Sequence, residues 1–141
     1  MKQLTFAMNK KALLLSLALL CGAAGAWAAE EVKFIRRSWD SNAKSVVSTE
    51  ASVSATEIKC KDADGWMGLK DGWYYVKNKD VVLKVLNILG SDVNLVLCDG
   101  CKLECKGGVK LEGAGKKLTI YGQKSDSGQL VAKGTSYSHT P

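Results

Sequence analysis

The sequence predicts an all-β protein, a short β-solenoid preceded by a β-hairpin segment, and two observations carry that prediction. Between residues 93 and 132, short segments alternate apolar and polar residues and are separated by glycine, aspartate, serine and lysine. Such a period of two is typical of half-buried strands. The segments also repeat, because residues 94–97 are echoed by 117–120 and residues 101–105 by 128–132. Short strands that recur in this way indicate coils stacked on one another.

Residues 1–28 predict a secretory signal peptide. Three lysines precede an apolar run over residues 12–20, and Ala26 and Ala28 supply the small side chains that precede a cleavage site. The run is too short for a membrane span. A lipoprotein anchored through Cys21 is the weaker alternative, because Leu20 stands where a small residue is expected. We therefore predict a protein that is secreted or at the cell surface, with the periplasm as an alternative.

The charge of the chain does not predict nucleic-acid binding. The sequence holds 20 Lys and Arg against 14 Asp and Glu, but three of the lysines lie in the predicted signal peptide. The remaining 17 basic residues exceed the acidic residues by only three, and they are scattered between acids. This pattern is typical of solvated strand faces.

Four cysteines follow the predicted signal peptide: Cys60, Cys98, Cys101 and Cys105. An even set in an exported protein favours disulfides, and Cys98 and Cys101 flank an Asp-Gly turn that can bring two thiols together. Free buried thiols and an all-cysteine metal site are the alternatives. The only histidine, His139, is distant in sequence. We predict no metal and no cofactor.

Residues 29–60 predict an N-terminal β-hairpin or cap segment. An apolar pattern over residues 32–39 is followed by a turn signal and a return strand over residues 45–49. Residues 50–56 fit either a third strand or a linker. We expect Trp39 to pack against its own hairpin, with stacking on a sugar as the alternative.

Residues 61–134 predict the short solenoid itself, and residues 135–141 predict a frayed tail. Acids and glycines over residues 60–71 indicate loops, and they lack the full ligand spacing of a calcium loop. An aromatic strand is predicted over residues 73–76. A single strand rich in β-branched residues is predicted over residues 81–89.

Four phrases in this region resemble a module of bacterial secreted proteins. They are GWYYV at 72–76, VNLVLCDG at 93–100, LTIYGQ at 118–123 and SGQL at 127–130. Together they are similar to the N-terminal "GWYVV…VNLILCDG…LTIYGQ…GTGKL" region of large exported proteins from gut-type bacteria. The resemblance covers residues 72–133. It implies a short right-handed parallel β-helix on a surface or secreted protein, in the style of carbohydrate-binding and adhesin-type solenoids.

The chain departs from that module in two respects. Family members continue into further coils, whereas this sequence ends at Pro141 after a non-repetitive tail, which predicts a truncated gene product or a minimal module. Cys101 and Cys105 stand where the family more often has Ala, Thr or Val. A solenoid this short exposes a backbone edge, so we expect self-association or pairing with a partner there.

The predicted function is that of a non-catalytic, exported, surface-associated interaction module that binds glycan in the manner of an adhesin. The candidate ligand-binding residues are Trp66, Trp73, Tyr75 and Tyr121, because aromatic side chains stack on sugar rings through their apolar faces. For each of them the alternative is packing beneath a loop or into the coil. The alternative function is a purely structural stalk or cap of a larger or truncated surface protein.

A polysaccharide-degrading β-helix enzyme is the less favoured prediction. Glycoside hydrolysis needs two convergent carboxylates about 5 to 9 Å apart. No pair in the repeat region is flanked by a basic constellation, so we predict no catalytic residue and no enzyme. The carboxylates considered are Asp92, Asp99, Glu104, Glu112 and Asp126. Asp99 and Asp126 lie in predicted turns, where aspartates cap backbone amides, and Glu104 and Glu112 lie on predicted strands.

Overall fold

The computed structural model describes residues 29–134, which form an all-β solenoid of about three turns preceded by a hairpin. The predicted signal peptide with its cleavage site at Ala28, and the predicted frayed tail at residues 135–141, lie outside the described residues. Across residues 29–134 we find no helix that is both long and apolar enough to cross a bilayer. The predicted fold class is confirmed.

The described residues form strands joined by short turns and corners. In chain order they are β1 (Ala29–Asp40), β2 (Ser45–Glu57), β3 (Trp66–Leu69), β4 (Gly72–Val76), β5 (Val81–Leu83), β6 (Val85–Ile88), β7 (Val93–Leu97), β8 (Lys102–Cys105), β9 (Val109–Lys110), β10 (Leu118–Gly122) and β11 (Gln129–Ala132).

Each coil of the solenoid contributes strands to three separate sheets, which we call its faces. Strands β4, β7 and β10 stack in parallel on the first face, and β5, β8 and β11 on the second. Strands β3, β6 and β9 form the third face. Because side chains alternate along a strand, every second residue of each face points into the space between the three sheets.

That interior is filled by aliphatic side chains and two thiols. Leu95 from the first face, Leu103 from the second and Leu86 from the third are all fully buried. Fully burying a side chain of this size stabilises the fold by about 1.5–3 kcal/mol relative to leaving it in water. The buried residues of this inner core are Ile58, Leu69, Val76, Val81, Leu83, Leu86, Ile88, Val93, Leu95, Leu97, Cys101, Leu103 and Cys105.

The hairpin covers the outer side of the first face. Strands β1 and β2 pair along their whole length, but only Thr56 and Glu57 continue the pairing to β4. Val32 and Phe34 of β1 pack against outward-pointing side chains of the first face and form a second, smaller core. Beyond this contact, residues 36–50 are exposed apart from Asp40. We call these residues the hairpin arm.

Three predictions about individual elements were wrong. Residues 50–56 are neither a third strand nor a linker, because they continue β2. Residues 60–71 contain β3 as well as turns. Residues 81–89 form two strands, with the chain turning a corner at the exposed Lys84 between the second and third faces. A corner of this kind keeps the apolar residues on both sides inward, so the apolar pattern alone does not reveal it.

The predicted repeats differ in how well they match the observed register. Residues 128–132 align with 101–105 as predicted, because Gln129 pairs with Lys102 and Ala132 with Cys105. The other pair of segments is displaced by two residues, because Thr119 rather than Lys117 lies opposite Asn94. A slip of two leaves each side chain on the correct side of the sheet.

Candidate functional site

Two of the four predicted ligand-binding aromatics lie under the hairpin. Phe34 packs against both Trp73 of β4 and Tyr121 of β10, with ring centroids 4.9 Å and 4.8 Å away. Trp73 and Tyr121 also stack directly on each other at 5.2 Å with an interplanar angle of 24°. Both rings are half-buried. The three rings therefore form one aromatic cluster, in which Trp73 and Tyr121 pack against each other and against the hairpin.

Tyr75 is not available to a ligand in this structure, because its side chain is only 2% exposed. Its hydroxyl donates a hydrogen bond to the Glu30 carboxylate, and it lies 3.4 Å from a carboxylate oxygen of Glu57. Burial and these two carboxylates raise the pKa of Tyr75. Lys77 completes the cluster through its Nζ, 3.2 Å from Glu30. Tyr75 thus fastens the base of the hairpin to the first face, which is a packing role.

Trp66 is the predicted aromatic that faces solvent, with 68% of its surface exposed. It lies on the outer side of β3, since Met67 and Leu69 point to the inner core. Two residues further, the space that a side chain at Gly68 would need is occupied by Leu89, which is itself 48% exposed. Trp66, Gly68 and Leu89 form an apolar patch on the third face, which we call the indole platform.

Trp39 on the hairpin arm is a second exposed indole. It pairs across the hairpin with Val46, yet 66% of its surface remains exposed. The sequence favoured packing of Trp39 against its own hairpin. The structure shows the cross-strand contact, but the contact leaves the ring accessible because no solenoid face lies beneath the arm.

A shallow polar groove of about 180 Å³ separates the base of the arm from the solenoid corner after β10. The Gln123 side chain holds the two sides together, donating from Nε2 to the Lys33 carbonyl at 2.8 Å and accepting from the Asp99 amide at 2.8 Å. Arg37 forms an ion pair with Asp126 across the same gap. The groove is lined by Lys33, Phe34, Ile35, Glu50, Asp99, Gln123 and Lys124.

Asp99 closes the corner between the last two coils. Desolvation disfavours its charged form, but hydrogen bonds from Ser125 and Ser127 outweigh that effect and hold its pKa below the ordinary aspartate value. The Ser125 amide and hydroxyl lie 3.1 Å and 2.9 Å from its Oδ2. This is the structural capping role that the sequence indicated for a turn aspartate.

The other carboxylates considered for catalysis are also engaged with neighbours. Glu104 lies 2.7 Å from Lys133, which lowers the pKa of the glutamate. Asp92 lies 3.5 Å from Lys117. Glu112, which the sequence placed on a strand, lies instead in the loop after β9, because that strand ends at Lys110. Within residues 29–134, no three His, Cys, Asp or Glu side chains come together as a metal site would require.

The predicted disulfide is not present among residues 29–134. All four described cysteines are free thiols. Cys98 and Cys101 do flank a turn, in which the Cys101 amide donates to the Cys98 carbonyl at 3.1 Å. Burial raises the pKa of both thiols, to about 11 for Cys98. Cys105 is buried in the inner core, and burial raises its pKa to about 11 as well. Cys60 packs against the same core.

Comparisons of the chain with protein-family models, with curated proteins and with solved structures returned no match. The likeness to the exported bacterial module therefore remains a hypothesis based on its four sequence phrases. The structure agrees with it at the level of fold, because three of those phrases coincide with β4, β7 and β10 of the first face.

Proposed function

We propose that this chain is a non-catalytic, exported interaction module that binds glycan through the indole platform on its third face. The observation that carries the proposal is the exposure of Trp66, 68% of whose surface faces solvent on a strand of a parallel solenoid. A flat apolar ring presented by a regular strand is suited to stacking on the apolar face of a sugar. Export is supported by the signal-like features of residues 1–28.

The structure supports Trp66 over the other predicted aromatics for a simple geometric reason. Trp73, Tyr75 and Tyr121 pack beneath the hairpin or next to Phe34, so a ligand would have to displace the hairpin to reach them. Trp66 has no such cover, and the Leu89 side chain, which lies over Gly68, adds a second exposed apolar group to the platform.

The proposal is tested by retention of the chain on insoluble polysaccharides such as cellulose, chitin and peptidoglycan. We expect Trp66→Ala to weaken retention on the bound polysaccharide by about tenfold, because loss of one stacked ring typically removes about 1–2 kcal/mol. Trp66→Phe should keep most of the retention, and Trp39→Ala serves as the matched control for loss of an exposed indole.

Two other outcomes would replace the proposal. A chain that binds no polysaccharide, with or without the substitution, would support the structural role of a stalk or cap. Release of reducing ends or unsaturated products from the polysaccharide would support the enzyme.

A further inference from the structure

Among residues 29–134, the last coil of the solenoid has no further strand paired to it on any of its three faces. Strands β9, β10 and β11 are each the final strand of their sheet among the described residues. We call this surface the open end. An exposed strand edge offers a row of free amide and carbonyl groups that can pair with another strand.

The inward residues of the open end are also uncovered. Ile120 on β10 stacks directly below Leu95, which is fully buried, yet Ile120 itself is 46% exposed. Leu111 is likewise 46% exposed, and Leu118 and Leu130 are only partly buried. One more strand placed along β10 would cover Ile120 as β10 covers Leu95.

The net charge of the described chain is concentrated near this end. Residues 29–92 contain ten basic and ten acidic residues, whereas residues 93–134 contain seven basic and four acidic residues. Lys116 and Lys117 come directly before β10, and Lys124 comes two residues after it. Lysines therefore flank both ends of the edge strand with the uncovered apolar residues.

The excess of basic residues near the open end favours some binding partners for this surface over others. Two copies joined end to end would bring two positively charged coils together, which like-charge repulsion disfavours. A segment from a different protein, with acidic residues near its ends, matches both the charge and the apolar pattern.

We propose that the open end binds an extended acidic peptide segment of another protein, which adds along β10 as a further strand. Backbone hydrogen bonds would hold the segment, alternate apolar residues would continue the columns of Leu118 and Ile120, and an acidic residue would meet Lys124, since Lys117 already pairs with Asp92. This inference does not rest on the glycan proposal, which concerns Trp66 on a different face.

The test uses a seven-residue probe in which valine and threonine alternate between two terminal glutamates, labelled for fluorescence anisotropy. A second probe carries lysine in place of both glutamates. We expect the chain to bind the glutamate probe at least about tenfold more tightly than the lysine probe, and to lose that preference at high salt. Lys124→Glu should weaken the glutamate probe and strengthen the lysine probe.

Lys79→Glu is the matched control, because it makes the same charge change at an exposed position in the corresponding corner of the first coil, at the other end of the solenoid. It should leave the order of the two probes unchanged. Ile120→Lys should weaken both probes, since it places a charge where the added strand must be apolar. Equal binding of the two probes, binding of neither, or a stable dimer in light scattering without any probe would each overturn the proposal.

Discussion

The first and last coils of the solenoid have the same kind of apolar residue at their inward positions but bury it to different degrees. Val76 on the first face of the first coil is fully buried, whereas Ile120 on the same face of the last coil is 46% exposed. The first coil lies beside β2 and the hairpin, which extend the first face at that end. Burial in a solenoid therefore depends on the neighbouring coil as much as on the apolar pattern of the strand itself.

The largest effect is expected from alanine substitutions at two stacked positions, one in the middle coil and one in the last coil. Leu95→Ala should lower the free energy of unfolding by about 2–5 kcal/mol, because it leaves a cavity between coils above and below. Ile120→Ala in the same column should cost less than about 1 kcal/mol, since half of its surface already faces water. Chemical denaturation of both variants measures the difference. Equal losses would mean that the last coil is covered in solution.

A second contrast concerns the glycines at which successive coils touch. A Cβ at Gly90 would lie 2.5 Å from the backbone nitrogen of Asp71, and one at Gly128 would lie 2.8 Å from the carbonyl oxygen of Leu97. Alanine at either position should cost about 1–3 kcal/mol through overpacking. We expect Gly90→Ala to destabilise the whole fold and Gly128→Ala to loosen mainly the last coil.

Amide hydrogen exchange distinguishes these two results. For Gly128→Ala, faster exchange should be confined to β10 and β11. For Gly90→Ala, it should spread through β4 to β8. A uniform increase in both variants would show that the coils do not open separately, and Gly115→Ala is no suitable control because its φ of +77° adds strain of its own.

The smallest effect we predict is the dependence of stability on pH. The hydrogen bond from Tyr75 is the main cause that lowers the pKa of Glu30 below 4.5, and Lys133 does the same for Glu104 near the open end. A carboxyl with a lowered pKa in the folded state stabilises the fold above its ordinary pKa and loses that contribution as the pH falls through the folded value. Thermal stability should therefore decline below about pH 4.5.

Single substitutions distinguish the contribution of Glu30 to this pH dependence from that of Glu104. Tyr75→Phe should flatten part of that acid-induced decline by removing the main partner of Glu30, and Lys133→Ala should flatten the part that belongs to Glu104. Melting temperatures of the three proteins at matched ionic strength provide the measurement. An unchanged slope in both variants would mean that other carboxylates control the acid transition.

The sequence predicted the solenoid because alternation and repetition are local properties that survive in the fold. It also predicted the hairpin and the turn role of Asp99. The corner at Lys84 was missed because apolar residues continue inward on both sides of it. Strand β3 was missed because Trp66 and Gly68 face outward and interrupt the apolar pattern.

The candidate site was harder to predict because exposure depends on distant parts of the chain. Trp73 and Tyr121 lie on the outer side of the first face, where the pattern alone suggests contact with solvent. They are half-buried because Phe34, distant in sequence, packs against both of them. Likewise, Cys101 and Cys105 are close in sequence, but Leu103 separates them along an extended segment that keeps two residues four apart out of bridging range.

The hairpin also links the beginning of the described chain to its end. Arg37 and Asp126 are 89 residues apart, and the contact between Gln123 and Lys33 spans 90. During synthesis, the hairpin is complete long before the last coil exists, so Phe34 acquires its second aromatic neighbour only when Tyr121 has been added. Solenoids usually fold by propagation between adjacent repeats, whereas these contacts mean that the packing of the first strand is complete only after the last described coil has formed.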